Sequence, residues 1–243
     1  MYNSDEPIAG GAQAVASVRE RRIPHLFVTN TTSRGAEVIA AKLRRFGIPC
    51  ESDEILTPPR AAVAWLASQP RAPLALFVPP QTQGEFAGCE VLPQEAETGA
   101  GYVIIGDLGE GWDFGTLNRA FRLLHHNPEG KLIALGMTRY WQAPDGMRLD
   151  TAPFVVALEH ATGRRAIVLG KPSREFFDAA VARLGLAHGD VLMVGDDIHA
   201  DIAGAQAAGL KTALVRTGKF RPADLEEGIV PDMVLDSVAE IGK

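Results

Sequence analysis

The feature that most constrains this chain is a series of short, largely apolar runs, most of them continuous over four or five residues, spread along almost its whole length. They fall at residues 25–29, 74–78, 102–106, 132–135, 166–169, 191–194, 212–215 and 233–235. Runs of four or five residues without polar alternation suit strands buried on both faces of a parallel sheet. Helical stretches lie between them. Residues 34–46 place Ile39, Leu43 and Phe46 on one face and stop at Gly47. Residues 58–68 open with Thr57 as N-cap and Pro58 at the first helical position. Residues 174–184 carry Phe177, Val181 and Leu184 and stop at Gly185. Alternation of this kind predicts an α/β fold with a mainly parallel sheet.

The texture changes in the middle. Residues 70–153 hold many Gly, Pro and Gln, and Trp112 and Trp141 lie there with Trp65 just upstream. The expected organisation is a core of residues 1–56 and 164–243, interrupted by a second α/β unit at 57–163. The start of the chain is unusual. Residues 9–20 read as a helix leading into the strand at 25–29, and a βαβ unit needs a strand before that helix. Residues 1–8 are rich in Asn, Ser, Asp, Glu and Pro, all poor strand formers, so they cannot supply it. The reading expects a fold that begins one strand late, with the first core strand absent.

Composition closes off several classes. A net charge of −6 with a pI near 5.5 leaves no basic face for a phosphate backbone, so nucleic acid is not an expected partner. No apolar run approaches a membrane span, and the N-terminus shows neither a basic nor an apolar signal region, so no membrane partner is expected. Two cysteines, Cys50 and Cys89, make no disulfide framework and no metal motif, which points to a reduced cytoplasm.

In open α/β sheets chemistry gathers at the carboxyl ends of strands. After the run at 25–28 come Thr29, Asn30, Thr31, Thr32 and Ser33, five small hydroxyl or amide residues before a helix. They read as a phosphate cradle or as a plain loop ending in Ser33 as N-cap. After 166–169 comes Gly170-Lys171-Pro172-Ser173, where Lys171 is placed over a phosphoryl group or is a solvated loop lysine. After 191–194 comes Gly195-Asp196-Asp197, then Asp201. Three carboxylates at one strand end repel unless compensated, and a hard cation such as Mg²⁺ compensates them. A helix dipole accounts for one aspartate, Asp201, and hardly for three. Residues 106–111, with glycines at 106, 109 and 111, do not match a dinucleotide loop. His125 and His126 are adjacent, cannot share a helix face as Zn²⁺ ligands, and read as a polar helix end.

A hydroxyl, a lysine and paired aspartates at strand ends suit two classes: phosphoryl-transfer enzymes with a carboxylate nucleophile and Mg²⁺, and non-catalytic phosphate-binding or receiver-like regulatory proteins. Receivers run aspartate pair, then hydroxyl, then lysine. Here the order is Thr29, Lys171, Asp196, and a receiver has no room for the long insert.

With that order, residues 26–30 resemble the second motif of the haloacid dehalogenase superfamily of phosphatases. Residues 170–177 resemble the third and residues 194–206 the fourth. The insert between second and third motifs is similar to the subfamily with an α/β cap there, and residues 2–8 and 216–222 also resemble it. The resemblance implies a Rossmann-like parallel-sheet core with a cap that sets the leaving group. It implies a Mg²⁺-dependent phosphatase of small phosphorylated molecules working through an aspartyl-phosphate. Thr29, Asn30 and Thr31 would hold phosphoryl oxygens, Lys171 would neutralise charge, and Asp196, Asp197 and Asp201 would serve the metal. Arg139, with Thr138 and Tyr140, is the expected substrate contact from the cap. Caps of this subfamily often dimerise, so a homodimer through the cap is a further expectation. The family's first motif, an apolar strand ending in Asp-x-Asp-Gly-Val, has no counterpart within the 243 residues, so the chain as written is expected to be inactive.

Overall fold

The computed structural model describes residues 1–3, 5–143 and 145–241. The chain divides into two compact units. The first comprises Met1–Val28, Ala36–Leu56 and Lys171–Lys243, and the second comprises Thr29–Gly35 and Thr57–Gly170.

The second unit is built on a four-stranded, all-parallel sheet. Its strands lie in the order Ile167–Val168, Lys131–Ala134, Tyr102–Ile105, Leu74–Phe77. Alternate residues of each strand face opposite sides, and both sides are apolar. Ala75, Phe77, Val103, Ile105, Leu132 and Ala134 pack with Leu123, Leu124, Val155 and Leu158. Leu74, Tyr102, Ile104, Ile133 and Leu135 pack with Ala62 and Phe86. This double burial is why the strands read as continuous apolar runs.

Three helices cover those faces. Pro58–Leu66 starts where expected, with Thr57 Oγ1 accepting from the Arg60 amide at 3.4 Å. Phe114–His125 was expected only by its polar end at His125 and His126, and Thr151–Thr162 was not expected. Their starts are set by Asp113, whose carboxylate accepts from the Thr116 amide at 2.7 Å, and Asp150, which accepts from the Thr151 amide at 2.6 Å. An antiparallel hairpin pairs Tyr140–Ala143 with Gly146–Leu149.

The first unit holds two separate parallel ladders. Phe27–Val28 pairs with Ile55–Leu56, and Leu192–Gly195 pairs with Lys211–Val215, which pairs with Met233–Leu235. Among the described residues no strand joins one ladder to the other. The strand expected over 25–29 shortens to two residues because its partner has only two, held between the turn Ser52–Glu54 and the helix cap Thr57. Helix Ala36–Arg45 buries Ile39, Ala40 and Leu43 against Val15, Ile48 and Ile55. Helix Arg174–Leu184 matches its expected span, with Ser173 Oγ accepting from the Phe176 amide and Gly185 closing it at φ 67°.

Residues Tyr2–Asn3 and Glu6–Pro7 form a short antiparallel hairpin despite their poor strand propensity. A buried lysine holds it. Lys42 Nζ is 2.8 Å from Asp5 Oδ1 and 4.5 Å above the Tyr2 ring. Tertiary contacts thus override local preference.

Candidate active site

In the first unit the polar cluster forms at the carboxyl end of Leu192–Gly195. Asp197 caps the wide helical turn Ile198–Ala203: its Oδ1 accepts from the amides of His199 at 3.2 Å and Ala200 at 2.9 Å. Asp201 is therefore not the cap. Its side chain folds back toward the strand end, and Oδ2 accepts from the amides of Asp196 and Asp197 at 3.2 and 3.3 Å. Gly195 permits this, since a Cβ there would overlap the Asp201 carboxylate. Asp201 Oδ1 meets Lys171 Nζ at 2.6 Å, and the two side chains are only 6% and 9% exposed. A buried pair needs its remaining valences satisfied, and the two amides on Oδ2 do that.

Asp196 is held from the loop after Lys211–Val215. Its Oδ2 accepts from the Lys219 amide at 2.7 Å, while Lys219 Nζ lies 3.2 Å from Asp197 Oδ2. Burial acts to raise the Asp197 pKa, but the Ala200 amide and Lys219 outweigh it and hold the carboxyl below its ordinary value. Burial likewise opposes the Lys219 ammonium, and Asp197, with Asp196 and Asp201 behind it, overcomes burial and raises it.

Among the described residues no group of three or more His, Cys, Asp or Glu is arranged to hold a metal ion. Both oxygens of Asp197 and of Asp201 are engaged, and only Asp196 keeps an oxygen, Oδ1, that accepts nothing among the described residues. A hard cation fits this donor set through that single oxygen.

In the second unit Thr29 Oγ1 is 3.0 Å from Thr31 Oγ1 and accepts from the Thr31 amide at 3.1 Å, closing a tight hydroxyl turn. Thr32 is buried, and its Oγ1 accepts from the Asp107 amide at 3.2 Å. Gly170 lies close behind, where a Cβ would sit 3.4 Å from Asn30 Oδ1. Ser33 is not the cap of the next helix, which begins three residues later at Ala36. It lines a cavity of about 500 Å³ together with Asp107, Glu110, Trp112, Trp141 and Arg148. Arg139 is exposed at the foot of the hairpin, outside that lining, its guanidinium 5.9 Å from the Tyr140 ring centroid.

These placements meet matches to known proteins over almost the whole chain. A haloacid dehalogenase-like hydrolase model matches residues 1–91, and an HAD-hydrolase-like model matches residues 168–241. The phospholysine phosphohistidine inorganic pyrophosphate phosphatase of Homo sapiens is 36% identical over 234 residues, covering 96% of this chain and 84% of the relative. The chain belongs to the haloacid dehalogenase-like hydrolases. The haloacid dehalogenase-like hydrolase domain-containing protein 2 of Bos taurus is 35% identical over 95% of this chain and 85% of its own length. Among solved structures, the p-nitrophenyl phosphatase from Archaeoglobus fulgidus superposes with a TM-score of 0.88 at 30% identity, covering 100% of this chain and 94% of that one. Like these haloacid dehalogenase-like relatives, the protein is a hydrolase acting on phosphate esters.

Sequence reasoning missed one feature in each unit. Gly218 and Lys219 had a resemblance but no role, because holding Asp196 through a backbone amide leaves no side-chain signature. The loop of residues 106–111, set aside as a poor dinucleotide motif, supplies Asp107 and Glu110 to the cavity. Its signal is the pair of acids among glycines after a buried strand.

Proposed function

We propose that this protein is a Mg²⁺-dependent phosphatase of small phosphorylated molecules, acting through an aspartyl-phosphate. The observation that carries the reading is the Lys171–Asp201 pair beside Asp196, whose Oδ1 stays open among the described residues. Asp196 is the residue that would hold Mg²⁺, and the cation supplies charge neutralisation for the transferred phosphoryl group. Asp201 fixes the Lys171 ammonium, so a positive charge stands ready without reorganisation. Lys219 and the 198–203 turn fix Asp196 and Asp197. Thr29, Asn30 and Thr31 supply hydroxyl, amide and backbone donors for phosphoryl oxygens. Residues 57–163 act as the cap that sets which leaving group is accepted.

The names of the relatives add phosphohistidine, phospholysine and aryl phosphates as chemistry to try first. The 243-residue chain lacks an Asp-x-Asp-Gly-Val motif, so it should turn over negligibly by itself.

Two measurements test this. An aryl phosphate assay with Mg²⁺ compares the 243-residue chain with a version carrying the first motif at its N-terminus. Only the extended one should turn over, and equal rates would defeat the nucleophile assignment. Calorimetric titration of Mg²⁺ should show binding that Asp196→Asn abolishes. Equal heats for both proteins would remove Asp196 from the metal site.

A further inference from the structure

The cavity of the second unit has a composition that selects its ligand. One side is aromatic. Trp112 stacks on Phe154 with centroids 4.5 Å apart and planes 12° apart, and on Phe77 at 5.8 Å and 5°. The Arg119 guanidinium lies 4.9 Å above Phe77, completing a four-member stack that ends at the cavity with Phe154. Trp141, directly across the hairpin from Arg148, adds a further ring to the lining. The Trp112 Nε1–H is buried with no acceptor among the described residues. A buried donor left in this way is costly.

The charges of the cavity do not balance. The one cation of its described lining, Arg148, is already spent: Nε and Nη2 reach Asp145 at 3.0 and 2.5 Å, and Nη2 lies 3.3 Å from Glu110. Among the described residues Asp107 has no cationic partner, and its carboxylate accepts from the Gly109 amide at 3.2 Å. Burial, then the nearby charge of Asp150, pushes its carboxyl pKa up, as expected for a carboxylate lacking a counter-ion. The cavity is also continuous with the hydroxyl loop. Ser33 lines it two residues after Thr31, and Thr32 Oγ1 holds the Asp107 amide at 3.2 Å.

We propose that this cavity receives the leaving group of the phosphoester and selects flat aromatic or heteroaromatic groups carrying a positive charge, discriminating against those carrying a carboxylate. The proposal rests on the phosphatase reading above and adds the substrate class. The rings supply stacking for a flat face. Asp107, without a counter-ion, attracts a cation and repels an anion. A volume of about 500 Å³ suits a group of one or two rings.

The test uses two probes with one ring and one hydroxyl but opposite side-chain charge: tyramine and 4-hydroxyphenylacetate. Saturation-transfer NMR titrations on the 243-residue chain should give tyramine an affinity about fivefold higher. Asp107→Asn, which keeps the shape of the side chain, should bring the two within about twofold, and Trp141→Ala should weaken both. Equal or tighter binding of the carboxylate, or a preference untouched by Asp107→Asn, would overturn the proposal. Inorganic phosphate, titrated as a third probe, reports on the phosphate reading separately. Phosphate binding without discrimination between the ring probes would reject the cavity assignment and leave the phosphatase reading standing. Discrimination without phosphate binding would reject the link between cavity and leaving group.

Discussion

Gly218 backs directly onto the carboxylate of Asp196: a Cβ at position 218 would overlap Oδ2, the oxygen that the Lys219 amide holds. Gly218 also adopts φ +66°, a region that L side chains enter at a cost. Two requirements therefore fall on one residue, and they can be separated. Gly218→Ala should destabilise the protein by about 2–3 kcal/mol in urea unfolding and weaken Mg²⁺ binding by displacing Asp196. Gly47 is the control, at φ +73° with no described atom within 4 Å of the place a Cβ would take. Gly47→Ala should cost about 1 kcal/mol and leave metal binding alone. Equal costs at both positions would show that backbone strain alone is at work.

The Lys171–Asp201 pair gives a second expectation. Asp201→Asn removes the buried carboxylate that the Lys171 ammonium meets at 2.6 Å and should cost about 3–5 kcal/mol of stability. Replacing both groups, as Asp201→Asn with Lys171→Met, should recover much of that loss while removing any phosphate affinity that depends on the ammonium. A double-mutant cycle of urea midpoints checks the coupling. Additive losses would mean that the pair is not desolvated in solution.

Alkaline stability should carry the signature of Cys50. Burial, reinforced by the charge of Glu54, pushes its thiol from the ordinary 9.0 up to about 11. The folded state thus keeps the proton that the unfolded chain gives up first. The stabilisation is intact below pH 9.0 and is lost as pH rises to about 11, by up to about 2–3 kcal/mol. Cys50→Ala removes this slope, so unfolding free energies of the two proteins should converge across that window. Parallel pH profiles would show that Cys50 does not titrate there.

What was legible in the sequence was local or periodic. Thr57-Pro58 start their helix as expected because a cap is set by residues within one turn. The four-stranded sheet was legible because burial on both faces leaves unbroken apolar runs. Helix Phe114–His125 was read only at its polar end, although it carries Leu117, Ala120, Phe121 and Leu124 on one face, because Gly109, Gly111 and Gly115 obscured its approach. The hairpin at 140–149 was missed because much of its surface is exposed, with Tyr140 and Leu149 54% and 60% accessible, so burial imprints no clean alternation. At the site, the three aspartates were visible as a cluster. Their division of labour was not, since it depends on Lys219 arriving from a loop more than twenty residues away.

The ring stack of Phe77, Trp112 and Phe154 has an optical consequence. Chromophores held nearly coplanar at these separations share their electronic transitions, and Trp112 is sandwiched between two of them. The protein should therefore carry a near-ultraviolet circular dichroism band belonging to the second unit, because all three rings lie within it. Followed through a denaturant titration beside the far-ultraviolet signal of the whole chain, that band reports when this unit melts. Two coincident transitions would mark the units as one thermodynamic block, and two separated ones as independent folding bodies.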